Sequence, residues 1–484
     1  MRKAGILLAV SSLPSRHGIG DFGPEAYSFV KSMKRMGFKL WQVLPLNPLG
    51  YGNSPYQPYS SKAMDELYIS LDMLVKDGLL TKAPRFHAGA TRVDYDSVRD
   101  YKGKLLHRAF EKFVEGRSYR SFVKQNEWLY PYAVFITLKK HNDLKQWHYW
   151  PKPHRDWIKT KADILCEYEA DIKYEMFLQY VLYRQWTALK KYANKLGVEL
   201  VGDIPIYVGI DSLDVWDNQN QFLLDNDAHP THIAGVPPDY FSVTGQRWGN
   251  PLYDWDKMQK DGFKFWLDRL SYNAKLFDYI RIDHFRAFDT YWKIPSSCPT
   301  AVEGAWIEAP GYAFFDKLFA NFPTLKILAE DLGDLRPQVL QLRDHYRFPG
   351  MKIVQFSFDF DKPIIFTQYH ETNMAVYPGT HDNQTSKGWY RSLTKEQRLQ
   401  VRNVLAYYGY YYQNVADSII ALTLDSSPDV AIIPMQDILG LSDSARMNTP
   451  GTIGSPNWEW KMHDAKVFKS KRRFLKKLIT KARR

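Results

Sequence analysis

Eight short stretches of the chain are dense in apolar residues, and between most of them apolar positions recur every three or four residues. The apolar stretches lie at 5–10, 40–46, 198–205, 279–282, 325–329, 351–356, 375–377 and 429–434. Runs of this length suit parallel strands covered on both faces, as at 279–282, where no turn residue interrupts, and the helical periodicity between them suits crossover helices. Residues 24–36 are one such helix, with Pro24 in its first turn and Gly37 as its stop. Eight strand–helix units predict an α/β fold, a (β/α)8 TIM barrel.

A chain of 484 residues exceeds what one compact core usually holds, so the barrel is expected to be one catalytic unit, 1–484, swollen by insertions. A mainly helical insertion is expected at 60–197, between the second and third strands, with its longest helix over 167–195 and Gly197 as the stop. A second insertion, 205–275, contains the stretch 235–250, where aromatics stand between prolines and glycines, the composition of a lid or binding loop. At 465–484 Phe468, Leu475, Leu478 and Ile479 recur at helical spacing among Lys and Arg, which predicts a basic terminal helix with one docked face.

Candidate chemistry sits at the ends of the apolar runs. Asp283 closes Tyr279-Ile280-Arg281-Ile282, Glu330 follows Leu328-Ala329, and Asp382 follows Tyr377-Pro378-Gly379-Thr380-His381. Barrel sites form at the C-terminal mouth of the strands, so Asp283, Glu330 and Asp382 are expected around one opening. Taken alone, Asp283 reads equally as a structural ion-pair partner of an arginine. Asp203 ends the third strand and reads either as a substrate ligand or as a loop anchor. The segment 50–59, too rich in Gly, Pro and Tyr for a central strand, offers aromatic faces that suit the apolar faces of sugar rings; a self-packed surface loop is the alternative.

Charge and cysteine usage narrow the partners. Much of the net charge of +12 sits in the terminal helix, which reads as a solvated face rather than a polyanion-binding arm, and nothing elsewhere resembles a nucleic-acid module. Cys166 and Cys298 lie far apart and match no metal-ligand spacing, which predicts a reducing, cytoplasmic location without disulfides. No apolar run is long enough to span a membrane, and the start 1–10 lacks the cleavage site of a signal peptide. Gly18-Ile19-Gly20-Asp21-Phe22-Gly23 spells a dinucleotide fingerprint, yet it stands too far after its strand, with Pro14 between, and the second strand lacks the following acid that holds a ribose. Neither a cofactor nor a metal is expected.

The runs Arg281-Ile282-Asp283-His284-Phe285-Arg286, Ala329-Glu330-Asp331-Leu332-Gly333, Gly379-Thr380-His381-Asp382-Asn383 and 235–250 closely resemble the amylomaltase family, the 4-α-glucanotransferases or disproportionating enzymes. Ser12-Leu13-Pro14, Ser54-Pro55-Tyr56-Gln57, Gly202-Asp203-Ile204-Pro205, Phe348-Pro349-Gly350-Met351-Lys352 and Asn448-Thr449-Pro450-Gly451-Thr452 resemble that family's signatures in the same order, so the resemblance covers nearly the whole chain. Two positions depart from it: Ala287 stands where the family commonly has glycine, and Lys461 where arginine is expected. The methyl group could crowd a sugar, and Lys lacks the planar fork of Arg.

The resemblance implies retaining transfer of α-1,4-glucan segments between maltooligosaccharides derived from starch or glycogen, by a monomer or homodimer. It implies Asp283 as nucleophile, Glu330 as acid and base, and Asp382 as a ligand of ring hydroxyls. Retention predicts the first two carboxyls about 5–5.5 Å apart. Arg281 would keep Asp283 ionised, while Glu330 needs a less polar setting. His284 and His381 would donate to hydroxyls, Tyr56 would stack beside the cleaved bond, and Ser54, Asp203, Trp248 and Asn457 would make further sugar contacts. A loop carrying Tyr240, Phe241 and Trp248 would exclude water. The competing classes are an amylase-type hydrolase, separable only by its products, and a non-catalytic glucan-binding protein, in which one of the acids should be missing.

Overall fold

The structure, a computed structural model, describes residues 2–86, 89–238 and 242–484, and of Tyr51 the backbone alone. Its strands are β1 (Lys3–Leu7), β2 (Leu40–Gln42), β3 (Glu199–Ile204), β4 (His232–Val236), β5 (Gln246–Pro251), β6 (Tyr279–Ile282), β7 (Thr290–Pro295), β8 (Ala305–Glu308), β9 (Ile327–Ala329), β10 (Gly350–Ile353), β11 (Met374–Tyr377) and β12 (Val430–Pro434). Eight of them form one parallel sheet in the order β10-β11-β12-β1-β2-β3-β6-β9. The Ala329 N–H donates to the Pro349 carbonyl at 2.9 Å, and the Asp331 carboxylate accepts from the Met351 N–H at 2.6 Å, so β9 and β10 bring the sheet's two edges together. The fold is a (β/α)8 barrel with large, mainly helical insertions, and each of the eight apolar runs supplies one barrel strand.

Register decides where the acids land. Asp203 of β3 pairs with Arg281 of β6, and Ile282 of β6 pairs with Ala329 of β9, so Asp283 and Glu330 are the first residues past paired positions on neighbouring strands. Backbone bonds continue that ladder past the strand ends: Asp283 N–H to Ile204 O and Glu330 N–H to Ile282 O, each 3.0 Å. Gly202 is required where β3 crosses Phe277, because a Cβ there would overlap the ring.

Between β2 and β3 lie helices Tyr95–Glu111, Arg117–Gln125, Leu129–His141 and Glu169–Lys195; the last buries Phe177, Leu178, Leu182, Trp186 and Leu189 and stops before Gly197, at φ 76°. At the C-terminus, helix Arg472–Lys481 buries Leu475, Leu478 and Ile479, with Ile479 against Gly37 at the end of helix Pro24–Met36. The hydrophobic start is barrel strand β1, bonded to β12 on one side and β2 on the other. In the glycine run 18–23 the chain packs closely on itself: a Cβ at Gly20 would overlap the Val10 carbonyl, and one at Gly23 the Ser70 hydroxyl.

The stretch 235–250 differs from the irregular loop its composition suggests. Its ends belong to the antiparallel strands β4 and β5, joined to β7 and β8 in a second sheet of order β5-β4-β7-β8. A register shift between Ile233 and Gly235, Gly249 at φ 79° and Pro251 hide the alternation that would have marked strands, and β5 tolerates them because it is an edge. Tyr240 and Phe241, expected on the lid, lie outside the described residues.

Candidate active site

At the C-terminal mouth of the barrel, Arg281 is the hub. It is buried on β6, and its Nη1 donates to Asp203 Oδ1 at 2.6 Å and to Asp283 Oδ1 at 2.9 Å, while Nη2 stands 4.0 Å from Glu330 Oε1. The backbone N–H of His284 donates to Glu330 Oε2 at 2.7 Å. His284 itself lies in the left-handed region, at φ 51°, a conformation uncommon for a residue other than glycine. Asp283 and Glu330 therefore converge, and Asp382 is near enough for its charge to act on both; the three carboxyls keep 28%, 19% and 39% exposure, open to a ligand where Arg281 is not.

Local charges separate the two central acids. Burial pushes Glu330 up to about 8, the Asp283 charge adding to it and Arg281 opposing. Asp283 is raised to about 6, again by burial first, with Arg281 pulling down and Asp203 and Asp382 pushing up. A proton shared at neutral pH therefore rests on Glu330, leaving Asp283 as the anion. Burial lowers His284 to about 4, so its imidazole is neutral.

A second chain of polar contacts crosses the mouth. Tyr56 Oη donates to Asp203 Oδ2 at 2.8 Å and lies 2.9 Å from His381 Nε2, so with its single proton committed to the carboxylate, the phenol accepts from Nε2–H. His381 Nε2 is also 3.3 Å from Asp382 Oδ2. The rings of Tyr56 and His381 lie nearly parallel, 5.4 Å between centroids, and both lean on Trp458. Trp248 meets His284 edge to face at 5.0 Å, and Gln57 bonds Asn250 at 2.9 Å, tying the tyrosine-rich loop to β5.

Two residues expected to contact sugar also make structural bonds. Ser54 Oγ accepts the Tyr56 N–H at 3.3 Å and so shapes the turn that presents Tyr56. Asn457 is buried, accepting the Thr449 N–H and donating to Thr452 Oγ1, both at 2.9 Å; it anchors the loop 449–452. Three residues that sequence reasoning did not assign also hold the site. Asn448 donates to Asp382 Oδ1 at 2.6 Å, Arg446 binds both the Asp382 and Asn448 carbonyls, and Trp458 backs the two stacked rings. Asn448 stands inside a quoted motif, but 66 positions from its partner no spacing rule reaches it.

Of the two departures, Ala287 is 2% exposed and packs in the apolar cluster with Phe285 and Phe288. Lys461 is buried too, its backbone N–H bonded to Thr91 O at 2.9 Å, and burial lowers its ammonium pKa. Among the described residues no cluster has the makeup of a metal site, and no helix is long and apolar enough to cross a membrane.

Comparison with known proteins shows the family. A family model described as 4-alpha-glucanotransferase matches residues 8–467. The 4-alpha-glucanotransferase of Thermus thermophilus is 42% identical over 479 residues, 95% of each chain, and that of Aquifex aeolicus 40% identical over 488 residues, 99% of each chain. The amylomaltase from Streptococcus agalactiae, solved in complex with acarbose, superposes with a TM-score of 0.93 at 35% identity, covering 100% of both chains.

Proposed function

Since the chain belongs to the 4-alpha-glucanotransferase family and is itself a 4-α-glucanotransferase, we propose that it works by double displacement, with Asp283 as nucleophile and Glu330 as acid and base. The family acts on α-glucans, and the substrates we propose for this chain are maltooligosaccharides derived from starch or glycogen. An Asp283 oxygen attacks C1 of the donor glucose from the β face, opposite the α-linked leaving group, as the C1–O4 bond breaks, and Glu330 gives its proton to the departing O4. The β-glucosyl ester so formed is attacked by the 4-hydroxyl of an acceptor glucan, whose proton returns to Glu330 as Asp283 leaves. Two inversions restore the α linkage.

The observation that carries the reading is the His284 N–H bond to Glu330 at 2.7 Å, which fixes the acid against the residue next to the nucleophile. Arg281 holds Asp283 as an anion, and Glu330 keeps its proton at neutral pH because its own charge would be buried beside another. Asp382, braced by Asn448 and His381, accepts from ring hydroxyls as the ring flattens. Tyr56 and Trp248 supply flat faces to neighbouring sugars, and neutral His284 donates without adding a charge. The loop between β4 and β5 favours a glucan acceptor over water by covering the intermediate.

The reaction needs neither metal nor cofactor, the partners are glucans rather than nucleic acid or membrane, and the enzyme acts in the cytoplasm as a monomer or homodimer. The two free cysteines support the location. Incubation with maltotriose tests the activity: glucose with maltopentaose and longer chains, at a constant number of reducing ends, is the expected product set. Maltose plus glucose alone would mean hydrolysis.

A further inference from the structure

Away from the barrel mouth, in the insertion between β2 and β3, a groove of about 540 Å³ opens between helices Arg117–Gln125 and Glu169–Lys195. This volume falls within the range of about 300–1,000 Å³ typical of ligand sites. Buried Tyr119, Ile172 and Met176 line its apolar part. At the rim Tyr130 is 45% exposed, its ring set edge-on to Trp157 at 6.2 Å. Around these stand Glu115, Asp163 and Glu169 against Arg120, Lys124 and Lys173, an equal number of each sign.

The balanced charges decide the ligand class. A groove for an anion or a cation carries an excess of the opposite sign; this one does not, and Glu169 and Lys173 already pair at 2.6 Å. What remains is an apolar floor, an aromatic face and many hydrogen-bonding groups of both kinds, the set that a neutral polyhydroxylated chain satisfies. We propose that this groove is a second α-glucan-binding site, separate from the catalytic mouth, which holds a polymeric substrate on the enzyme. Its ligand identity rests on the glucan reading above. Tethering at this groove raises the local concentration of chain ends at the mouth without touching the chemistry, so it matters for long glucans and not for maltotriose.

Cys166 lines the groove and is exposed, which provides a probe in the unmodified enzyme. Millimolar maltoheptaose is expected to slow alkylation of Cys166 by iodoacetamide severalfold, and an equal concentration of glucose 1-phosphate is not. Tyr130→Ala, a change at an exposed ring, is expected to abolish that protection and to raise KM for amylose about three- to tenfold, the loss of one aromatic platform, while maltotriose turnover stays unchanged. Identical alkylation rates with and without maltoheptaose, or protection that persists in Tyr130→Ala, would overturn the site. Failure of maltotriose transfer with Cys166 protection intact would count against the catalytic assignment and leave the groove standing.

Discussion

Arg281 and Asp203 form a sealed ion pair, 2.6 Å between Nη1 and Oδ1, with side chains 3% and 0% exposed. The pair serves the neighbouring acid in opposite senses: Arg281 pulls Asp283 toward ionisation, whereas the Asp203 charge pushes it back. Asp203→Asn should therefore lower the overall rate by loosening Tyr56, yet move the acid limb of the pH profile downward. Arg281→Met should leave Asp203 buried and uncompensated, destabilising the fold by about 3–5 kcal/mol. Urea unfolding measures the second effect; an acid limb that moves upward in Asp203→Asn would refute the first.

The pH dependence of kcat/KM should be bell-shaped. Activity requires Asp283 ionised and Glu330 protonated, so it should rise through about 6 and fall through about 8, and these two limbs belong to the coupled pair. Steady-state rates on maltotriose from pH 4 to 10 measure them. A profile flat across neutrality and falling only below pH 4 would contradict the assignment.

Glu330→Gln separates acid catalysis from folding. Loss of the proton donor should lower kcat/KM on maltotriose by about 10²–10⁴-fold. A donor whose leaving group needs no proton, such as α-maltosyl fluoride, should recover most of the first step. The stability effect has the opposite sign: between the unfolded-state pKa of about 4.3 and the folded value of about 8, the native state holds a proton that the unfolded chain has released, so wild-type stability falls as pH rises through that window. Gln mimics the protonated acid. The variant should match wild type near pH 4 and exceed it above pH 8, which thermal melts at the two pH values can compare.

How much of this site the sequence discloses depends on the range of each signal. The three acids were legible because each follows an apolar run, and parallel register then sets Asp283 and Glu330 side by side. The helix Glu169–Lys195 was legible from periodicity and Gly197. Strand β5 was not, because Gly249 and Pro251 break the pattern and only pairing with β4 makes it a strand. Asn448 and Trp458 were hidden for another reason: each meets its partner through a loop far along the chain, where no local rule applies. Asn457, singled out through the family resemblance, also anchors the loop 449–452, a role that needs coordinates to see.

Tyr56→Phe tests the polar chain across the mouth. The ring and its place beside His381 remain, but Asp203 Oδ2 loses a donor and His381 Nε2 an acceptor. Leaving such buried groups unpaired costs about 1–3 kcal/mol. Because the same contacts orient His381 toward Asp382, kcat should fall about tenfold for each 1.4 kcal/mol lost from the transition state. Tyr56→Ala, which also removes the stacking face, should be worse in KM as well as kcat.

The last prediction concerns transfer against hydrolysis. Val236 of β4 pairs directly with Gln246 of β5, so the intervening residues can be replaced by a two-residue Asn-Gly turn that closes the hairpin at that rung. Shortening a loop changes its closure entropy little, about 0.6 kcal/mol per halving of length, so the fold should hold. Trp248 on β5 keeps its contact with His284, and the three acids are untouched. If the segment's task is to hold water away from the glucosyl intermediate, its removal should leave consumption of maltotriose within severalfold of wild type while the yield of new reducing ends per transfer rises severalfold. Counting reducing ends against maltopentaose formed gives that ratio directly; an unchanged ratio would place the exclusion of water elsewhere in the mouth, with the acceptor's own binding energy as the remaining source of selectivity.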